Sequence, residues 1–232
     1  MKWSRGEIDR LVPILEQVSS DLSPVDGKRI LVLCSATGEM AFWLAEMMER
    51  GQVTGLELDP EALAIASHSA HEMGLEQLVR FQAAEKVSIP MPEASFEALV
   101  SEFIVYPTSM PTEIGQPEMA RVLTPGGRMA LTDVILTRPL PQAVREALAA
   151  IGLDYLCEAS QADFRKWMGE AGLVDVEVID LTPTVRQAWE LRRAADLSGL
   201  HRPGYAYLLD HPSFSLGKAI FYIYVRGEKP KN

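Results

Sequence analysis

From residue 29 to about residue 135, short apolar runs alternate with longer stretches of helical periodicity, and no other feature narrows the fold so sharply. Strands interleaved with helices at this spacing form βαβ units, because two parallel strands need a crossover between them. "RILVLC", "QVTGLEL", "VRFQAA", "FEALVSEF" and "GGRMALTDVI" read as five strands. "GEMAFWLAEMMERG" reads as a helix closed by Gly51, with its Trp, Met and Leu residues in the core, and "EIGQPEMARVL" reads as another. In "DPEALAIASHSAHEMG", Asp59 is the N-cap, Pro60 takes the first helical position and Gly74 ends the helix. The pattern predicts a parallel sheet covered by helices on both faces.

Past residue 135 the rhythm changes. "LPQAVREALAAIGLDYLCEA" and "SQADFRKWMGEAG" read as helices, the second capped by Ser160. "LVDVEVIDL" is a sixth strand, "TVRQAWELRRAADLSGL" a helix ending near Gly199, and "GKAIFYIYVRG" a seventh strand. "HRPGYAYLLDHPSF" reads as a loop or a short irregular cap, a kind of segment that shapes a substrate pocket when it lies near a sheet's carboxyl end. A chain of 232 residues can bury one substantial core, so residues 1–232 are taken as a single domain. Within it, 1–28 is a helical extension, expected on the cofactor side, 29–135 a ligand-binding core, and 136–232 a C-terminal half with cap segments.

Charge and cysteine usage exclude several functions. The net charge of −10 comes without a basic stripe, which argues against a nucleic-acid partner. No apolar run reaches the ~20 residues of a membrane span, and "MKWSRGEIDRLVPILEQ" has no signal-peptide core, so the expected location is cytoplasmic. Two cysteines, Cys34 and Cys157, build neither a disulfide framework nor a cysteine zinc site. His68 and His71 stand one helical turn apart, but no third ligand is near, and an exposed helix face is the better reading. No metal is expected.

The chemistry-bearing residues lie at strand ends. "ILVLCSATGEM", Ile30 to Met40, is a strand entering a helix through a tight turn that keeps Gly38. Glu57 ends the second strand about twenty residues later, where an acidic side chain in dinucleotide-type folds accepts hydrogen bonds from ribose hydroxyls. Helix capping already explains Asp59 and leaves Glu57 as the carboxylate without a structural task. Glu85 follows the third strand, and "ARVLTPGGRMALTDV" joins a helix to the fifth strand through a Pro-Gly-Gly turn.

Together, "ILVLCSATG", "GLELDPEAL", "AAEKVSIPMPEASFE" and "RVLTPGGRM" resemble the four ordered motifs of the class I S-adenosylmethionine-dependent methyltransferase family. The resemblance implies a Rossmann-like three-layer α/β sandwich with a mostly parallel seven-stranded sheet and an antiparallel last strand. It also implies an enzyme that methylates a small-molecule acceptor with S-adenosyl-L-methionine. On this pattern Cys34, Ser35, Ala36, Thr37 and Gly38 form the loop against the methionine part of the cofactor. Glu57 holds the ribose diol, Leu58 walls the adenine, Glu85 meets the adenine amino group, and the Lys86 backbone N–H faces a ring nitrogen. Ser101 and Glu102 lie beside the sulfonium.

Three positions depart from the family pattern: Val32 replaces a common acid, and Cys34 and Ala36 replace glycines. Because the cofactor brings no pyrophosphate to the loop, the demand for bare backbone there is mild. Beyond residue 130 the sequence is similar to quinone-biosynthesis and arsenite methyltransferases. Cys157 matches an arsenite-type cysteine, yet one thiolate cannot build a three-thiolate arsenic site, so a buried apolar helix residue is the better reading. Where the nucleophile carries a proton a base is needed. Tyr106, His201 and His211 are the candidates, with Tyr205 and Tyr207 lining the pocket. The remaining readings are a methyltransferase-fold binding or regulatory protein without turnover, and a methyltransferase of protein side chains. A homodimer is compatible with the sequence.

Overall fold

Each of the seven apolar runs forms a strand, and an eighth is added beside them. The computed structural model describes residues 12–33, 37–85, 88–102, 115–150, 153, 156–194 and 203–231. In chain order the elements are α1 (Val12–Leu22), β1 (Arg29–Leu33), α2 (Glu39–Glu46), β2 (Gln52–Glu57), α3 (Pro60–Met73), β3 (Val79–Ala83) and β4 (Phe96–Glu102). They continue as α4 (Gln116–Val122), β5 (Leu123–Leu136), α5 (Gln142–Ala149), β6 (Cys157–Glu158), α6 (Gln161–Glu170), β7 (Val174–Asp180), α7 (Thr182–Ala194), α8 (Pro203–Asp210) and β8 (Ile220–Glu228). The sheet order is β3-β2-β1-β4-β5-β8-β7, with β6 paired to β5 off this path. All ladders from β3 to β5 are parallel, whereas β8 inserts antiparallel between β5 and β7. Among the described residues, no helix is long and apolar enough to cross a membrane.

Strand alternation divides the core into two layers. Val32, Val53, Val100 and Val134 face a layer built with Met40, Phe42, Leu44 and Leu208. Leu31, Leu56, Leu99, Leu131 and Ile135 face the other, with Met119, Phe164 and Met168. Central strands covered on both faces read as near-continuous apolar runs, which is why β1 and β4 were so legible. The caps form as their sequences require. Asp59 accepts from the Glu61 N–H at 3.0 Å, Gly74 closes α3 at φ 68°, and Ser160 and Asp163 make a reciprocal capping box at the start of α6.

Four expectations are corrected. Cys157 lies in the two-residue strand β6, not in a helix: α5 stops at Ala149, and Cys157 and Glu158 pair with Ile135 and Leu136 of β5. Residues 203–210 are a helix rather than a loop; Pro203 at its first position costs nothing there, and Leu208 and Leu209 bury into the first core layer. Met47 is 45% exposed, because α2 ends at Glu46 and the side chain falls outside the buried stripe. The strand expected to begin after the Pro-Gly-Gly turn starts earlier, at Leu123, with a register shift opposite Phe96 and Ala98.

The described part of the N-terminal extension, α1, packs on the first layer, where Trp43 Nε1 donates to Ser19 Oγ at 2.8 Å. Its end is tied to the last strand: Tyr224 donates to Asp21 at 2.8 Å, and Arg226 pairs with the same carboxylate. Residues 4–11, the rest of the expected helix, lie outside the described residues.

Candidate functional site

Parallel pairing sets the strand ends at one level. Gln82, Leu56, Leu33, Ser101 and Leu131 form a continuous row across β3, β2, β1, β4 and β5. Glu57 and Glu102 stand one residue beyond that row, on the strands flanking β1. Carboxyl ends of parallel strands are where open α/β sheets bind ligands, and here the order reverses direction between β1 and β4.

Glu57 is 5% exposed, and its Oε1 accepts from the Leu58 N–H at 2.7 Å and the Asp59 N–H at 3.0 Å. The carboxylate therefore does have a structural task, contrary to the sequence reading. That task fixes its orientation. Next to it, the Ala84 N–H donates to the Glu57 carbonyl at 2.8 Å, extending the β2–β3 ladder by one step and placing Glu85 beside the β2 end. Glu85 is exposed and only grazed by Ser88 Oγ at 3.4 Å. Leu58 is half-buried between them in sequence.

Gly38 is the N-cap of α2 at φ 98°. A Cβ built there would stand 2.7 Å from Phe42 Cε2 and 2.7 Å from Phe81 Cζ, so glycine is demanded both by conformation and by space. The two rings meet edge to face, with centroids 5.5 Å apart, and lock the start of α2 against β3. Thr37 Oγ1 donates to Glu39 in the same turn. Ser101 is fully buried in β4, and among the described residues its Oγ has no hydrogen-bond partner. Such an orphan at a strand end suits a site built to receive a ligand. Cys34, Ser35, Ala36, Lys86, Tyr106 and His201 lie outside the described residues, and for Glu102 only the strand position is described.

Of the other candidates, His211 precedes β8 on an aromatic rim. It stacks on Tyr207 at 5.4 Å and Phe214 at 4.8 Å, and Arg138 lies 5.3 Å over the Phe214 ring. Its Nδ1 accepts from the Ser213 and Phe214 N–H groups, both at 3.1 Å. The neutral ring therefore carries its proton on Nε2 and has no free basic nitrogen, which removes it as a base. Tyr205 packs against Trp189 at 5.1 Å. His68 and His71 each face a carboxylate, Glu72 at 3.5 Å and Glu76 at 2.5 Å, on an exposed helix. Among the described residues, no three His, Cys, Asp or Glu side chains gather as metal ligands.

Asp133 went unnoticed in the sequence. It lies on β5, half-buried as a residue, with its carboxylate accepting from the Val134 N–H at 2.7 Å and, among the described residues, from nothing else. Burial of the carboxylate outweighs the Val134 N–H and pushes its pKa up to about 7. The available signal was a charged residue inside an otherwise apolar central strand, "MALTDVIL". A polar cleft at the opposite, amino edge is lined by Asp21, Arg128, Glu177 and Arg226, whose charges already pair with one another or with main-chain carbonyls.

Comparison with known proteins places these features in a family. A model described as "Methyltransferase domain" matches residues 24–172, more than half of the chain. A demethylmenaquinone methyltransferase of Thermus thermophilus is 38% identical over 133 residues, covering 57% of this chain and 54% of that protein. An O-methyltransferase, cnsE, of Penicillium expansum is 30% identical over 193 residues, covering 82% of this chain and 67% of that one. The chain thus spans between about half and two thirds of these relatives. A geranyl diphosphate methyltransferase solved in complex with S-adenosylmethionine superimposes with a TM-score of 0.72 at 18% identity, over 99% of this chain and 92% of that one, which shows a shared fold. With the switch point, the glycine-locked turn and the matching family model in agreement, the chain belongs to the methyltransferase-domain family.

Proposed function

We propose that the chain is an S-adenosylmethionine-dependent methyltransferase acting on a small-molecule acceptor, with residues 1–232 forming one methyltransferase domain. The observation that carries this reading is Glu57: a buried carboxylate at the carboxyl end of β2, its plane fixed by two main-chain N–H groups. A rigid acceptor at that place suits a ribose diol, which offers two hydroxyl donors. When bound, the cofactor supplies a methyl group on a positively charged sulfur.

The remaining work belongs to the chain's own groups. Glu57 holds the ribose, Leu58 walls the adenine face, and Glu85 with the Lys86 N–H meets the adenine edge. The loop 34–38, anchored by Gly38, receives the methionine part, and Ser101 and Glu102 close the β4 side. Tyr106 and His201 are assigned to the acceptor side. Alignment of acceptor and methyl group and exclusion of water supply much of the acceleration in such transfers. The quinone and O-methyl acceptors in the names of the relatives support a small organic acceptor.

Calorimetric titration with S-adenosylmethionine and S-adenosylhomocysteine tests the reading. Micromolar binding that weakens at least tenfold in Glu57→Gln is expected. No binding to folded protein at millimolar cofactor overturns it. Binding without methyl transfer across a broad acceptor panel points instead to a binding protein on the same fold.

A further inference from the structure

Helix α8 presents two different faces. Leu208 and Leu209 turn into the first core layer, and the Leu208 carbonyl accepts the Leu216 N–H at 2.8 Å. Ala206, Tyr207 and Asp210 lie three or four residues apart on another face, and His211 continues the same stripe. These four side chains line an open cleft of about 380 Å³, a volume within the ~300–1,000 Å³ range of small-molecule pockets. The cleft stands on the carboxyl side of the sheet. Arg138, just past the end of β5, donates to the Ser213 carbonyl, and β8 begins at Ile220 opposite Leu136. Leu136 is four residues beyond Thr132, the partner of Glu102, which is a rise of about 13 Å.

The way His211 is held sets the chemistry of the cleft. Its Nδ1 accepts two main-chain N–H groups, from Ser213 and Phe214, both at 3.1 Å, so the neutral ring carries its proton on Nε2. Tyr207 stacks on the ring at 5.4 Å and 24°, and Phe214 lies against it at 4.8 Å. Turning the ring breaks both main-chain bonds and both ring contacts, so Nε2–H is a pre-oriented donor and the polar group that His211 offers the cleft. Among the described residues lining it, Asp210 is the one carboxylate. Arg138 is turned to the Ser213 carbonyl and to the Phe214 ring, 5.3 Å from its centroid. An anion in the cleft meets the donor and a like charge together, whereas a neutral carbonyl oxygen takes the donor without that cost.

We propose that this wall seats a planar ring of the methyl acceptor and selects for a carbonyl on it. His211 Nε2–H donates to the carbonyl oxygen, the Tyr207 ring packs against the acceptor ring, and Asp210 turns carboxylates away. His211 is thereby a specificity residue and not a base, and no bond is made or broken by it. The height of the cleft above the strand ends assigns it the end of the acceptor remote from the transferred methyl group. That the ligand is the acceptor rests on the methyltransferase reading above; the donor and the cleft do not. A site built to hydrogen-bond one oxygen rejects an analogue lacking it, because the donor is then left unpaired.

The test titrates 1-indanone, indane and indane-1-carboxylate into protein carrying isotope-labelled histidine and saturated with S-adenosylhomocysteine, at about pH 8, where an ordinary histidine ring is neutral. The chain has four histidines, and the His211 signals are those lost in His211→Asn. Before ligand is added, Nε2 and not Nδ1 should carry the proton. 1-Indanone should shift the Nε2 signal saturably, and indane should leave it in place. Asn Oδ1 stands as many bonds from the main chain as His Nδ1 and makes the same turn, so His211→Asn should keep the melting temperature. It should lower the ratio of 1-indanone to indane affinity, measured by calorimetry, about fivefold, the share of one neutral hydrogen bond. His211→Gln keeps a donor at the Nε2 distance but not the acceptor, so it should lose melting temperature and keep most of the ratio. A proton on Nδ1, an Nε2 signal unmoved by millimolar 1-indanone, a ratio unchanged in His211→Asn, or a carboxylate bound as tightly as the ketone overturns the assignment. Binding of S-adenosylhomocysteine is measured first. Its absence defeats the methyltransferase reading and the acceptor role with it, whereas its presence with a failed 1-indanone series defeats only the role of His211.

Discussion

Gly38→Ala separates two costs that usually arrive together. At φ 98°, any residue with a Cβ is strained, by about 1–2 kcal/mol. The new methyl would also meet Phe42 and Phe81 at 2.7 Å each, and relieving such overpacking costs about 1–3 kcal/mol more. The expected loss is therefore about 2–5 kcal/mol of unfolding free energy, a large share of the ~5–15 typical of a domain. Gly74→Ala is the control, because its φ of 68° carries the strain while nothing lies within 4 Å of the added Cβ. It should cost about 1 kcal/mol. Urea unfolding followed by circular dichroism measures both, provided the m-value is unchanged. A Phe81→Ala background should reduce the Gly38→Ala penalty by about 1 kcal/mol, since half of the clash is gone. If Gly38→Ala costs no more than Gly74→Ala, the close packing of the turn on the two rings is refuted.

Two further outcomes follow from buried carboxylates. The unfolded Asp133 carboxyl ionises near 3.8 while the folded one ionises near 7, so below pH ~3 both states are protonated and the group is neutral to stability. As pH rises from ~3 to ~7 the unfolded chain releases the proton first and stability falls. Asp133→Asn should therefore match wild type near pH 3 and exceed it by about 2–4 kcal/mol at pH 8 in urea titrations; an equal stability difference at both pH values contradicts the burial argument. Glu57→Ala strips the acceptor from the Leu58 and Asp59 N–H groups and should cost about 1–3 kcal/mol, whereas Glu57→Gln keeps an oxygen for them and should stay within about 1 kcal/mol.

How much of this was legible depends on whether a residue acts through its own sequence neighbourhood. Asp59, Pro60 and Gly74 work within one helix, and Ser160 works with Asp163 three residues on, so their roles can be read locally. The strands β1, β2 and β4 announce themselves because both faces are buried, whereas β3 is legible from its place in the strand–helix alternation although most of its side chains are exposed. β6 does not announce itself: two residues carry no periodicity, and its existence depends on pairing with Ile135 and Leu136 of β5, some twenty residues earlier in the chain. In the same way α8 is anchored from afar, with Arg186 of α7 donating to the Leu209 carbonyl at its end and to the Leu216 carbonyl beyond it. Asp133 looked like one polar position in a strand, because its isolation is a property of the surrounding strands and helices. Glu57 was found for its place at the end of β2, but its two main-chain donors come from a bend that no pattern marks.

The antiparallel insertion of β8 has a consequence for synthesis on the ribosome. Among the described residues, β7 enters the sheet only through β8, and β8 also covers the outer edge of β5. Some forty residues separate the end of β7 at Asp180 from the start of β8 at Ile220. At about 5–20 residues per second, β5 and β7 wait roughly 2–8 seconds with unpaired edges after both have been made. Open edges recruit other strands, so this interval is when a nascent chain is most exposed to wrong partners. A translational pause before residue 220 lengthens it, and rapid delivery of residues 220–228 closes both edges in one event.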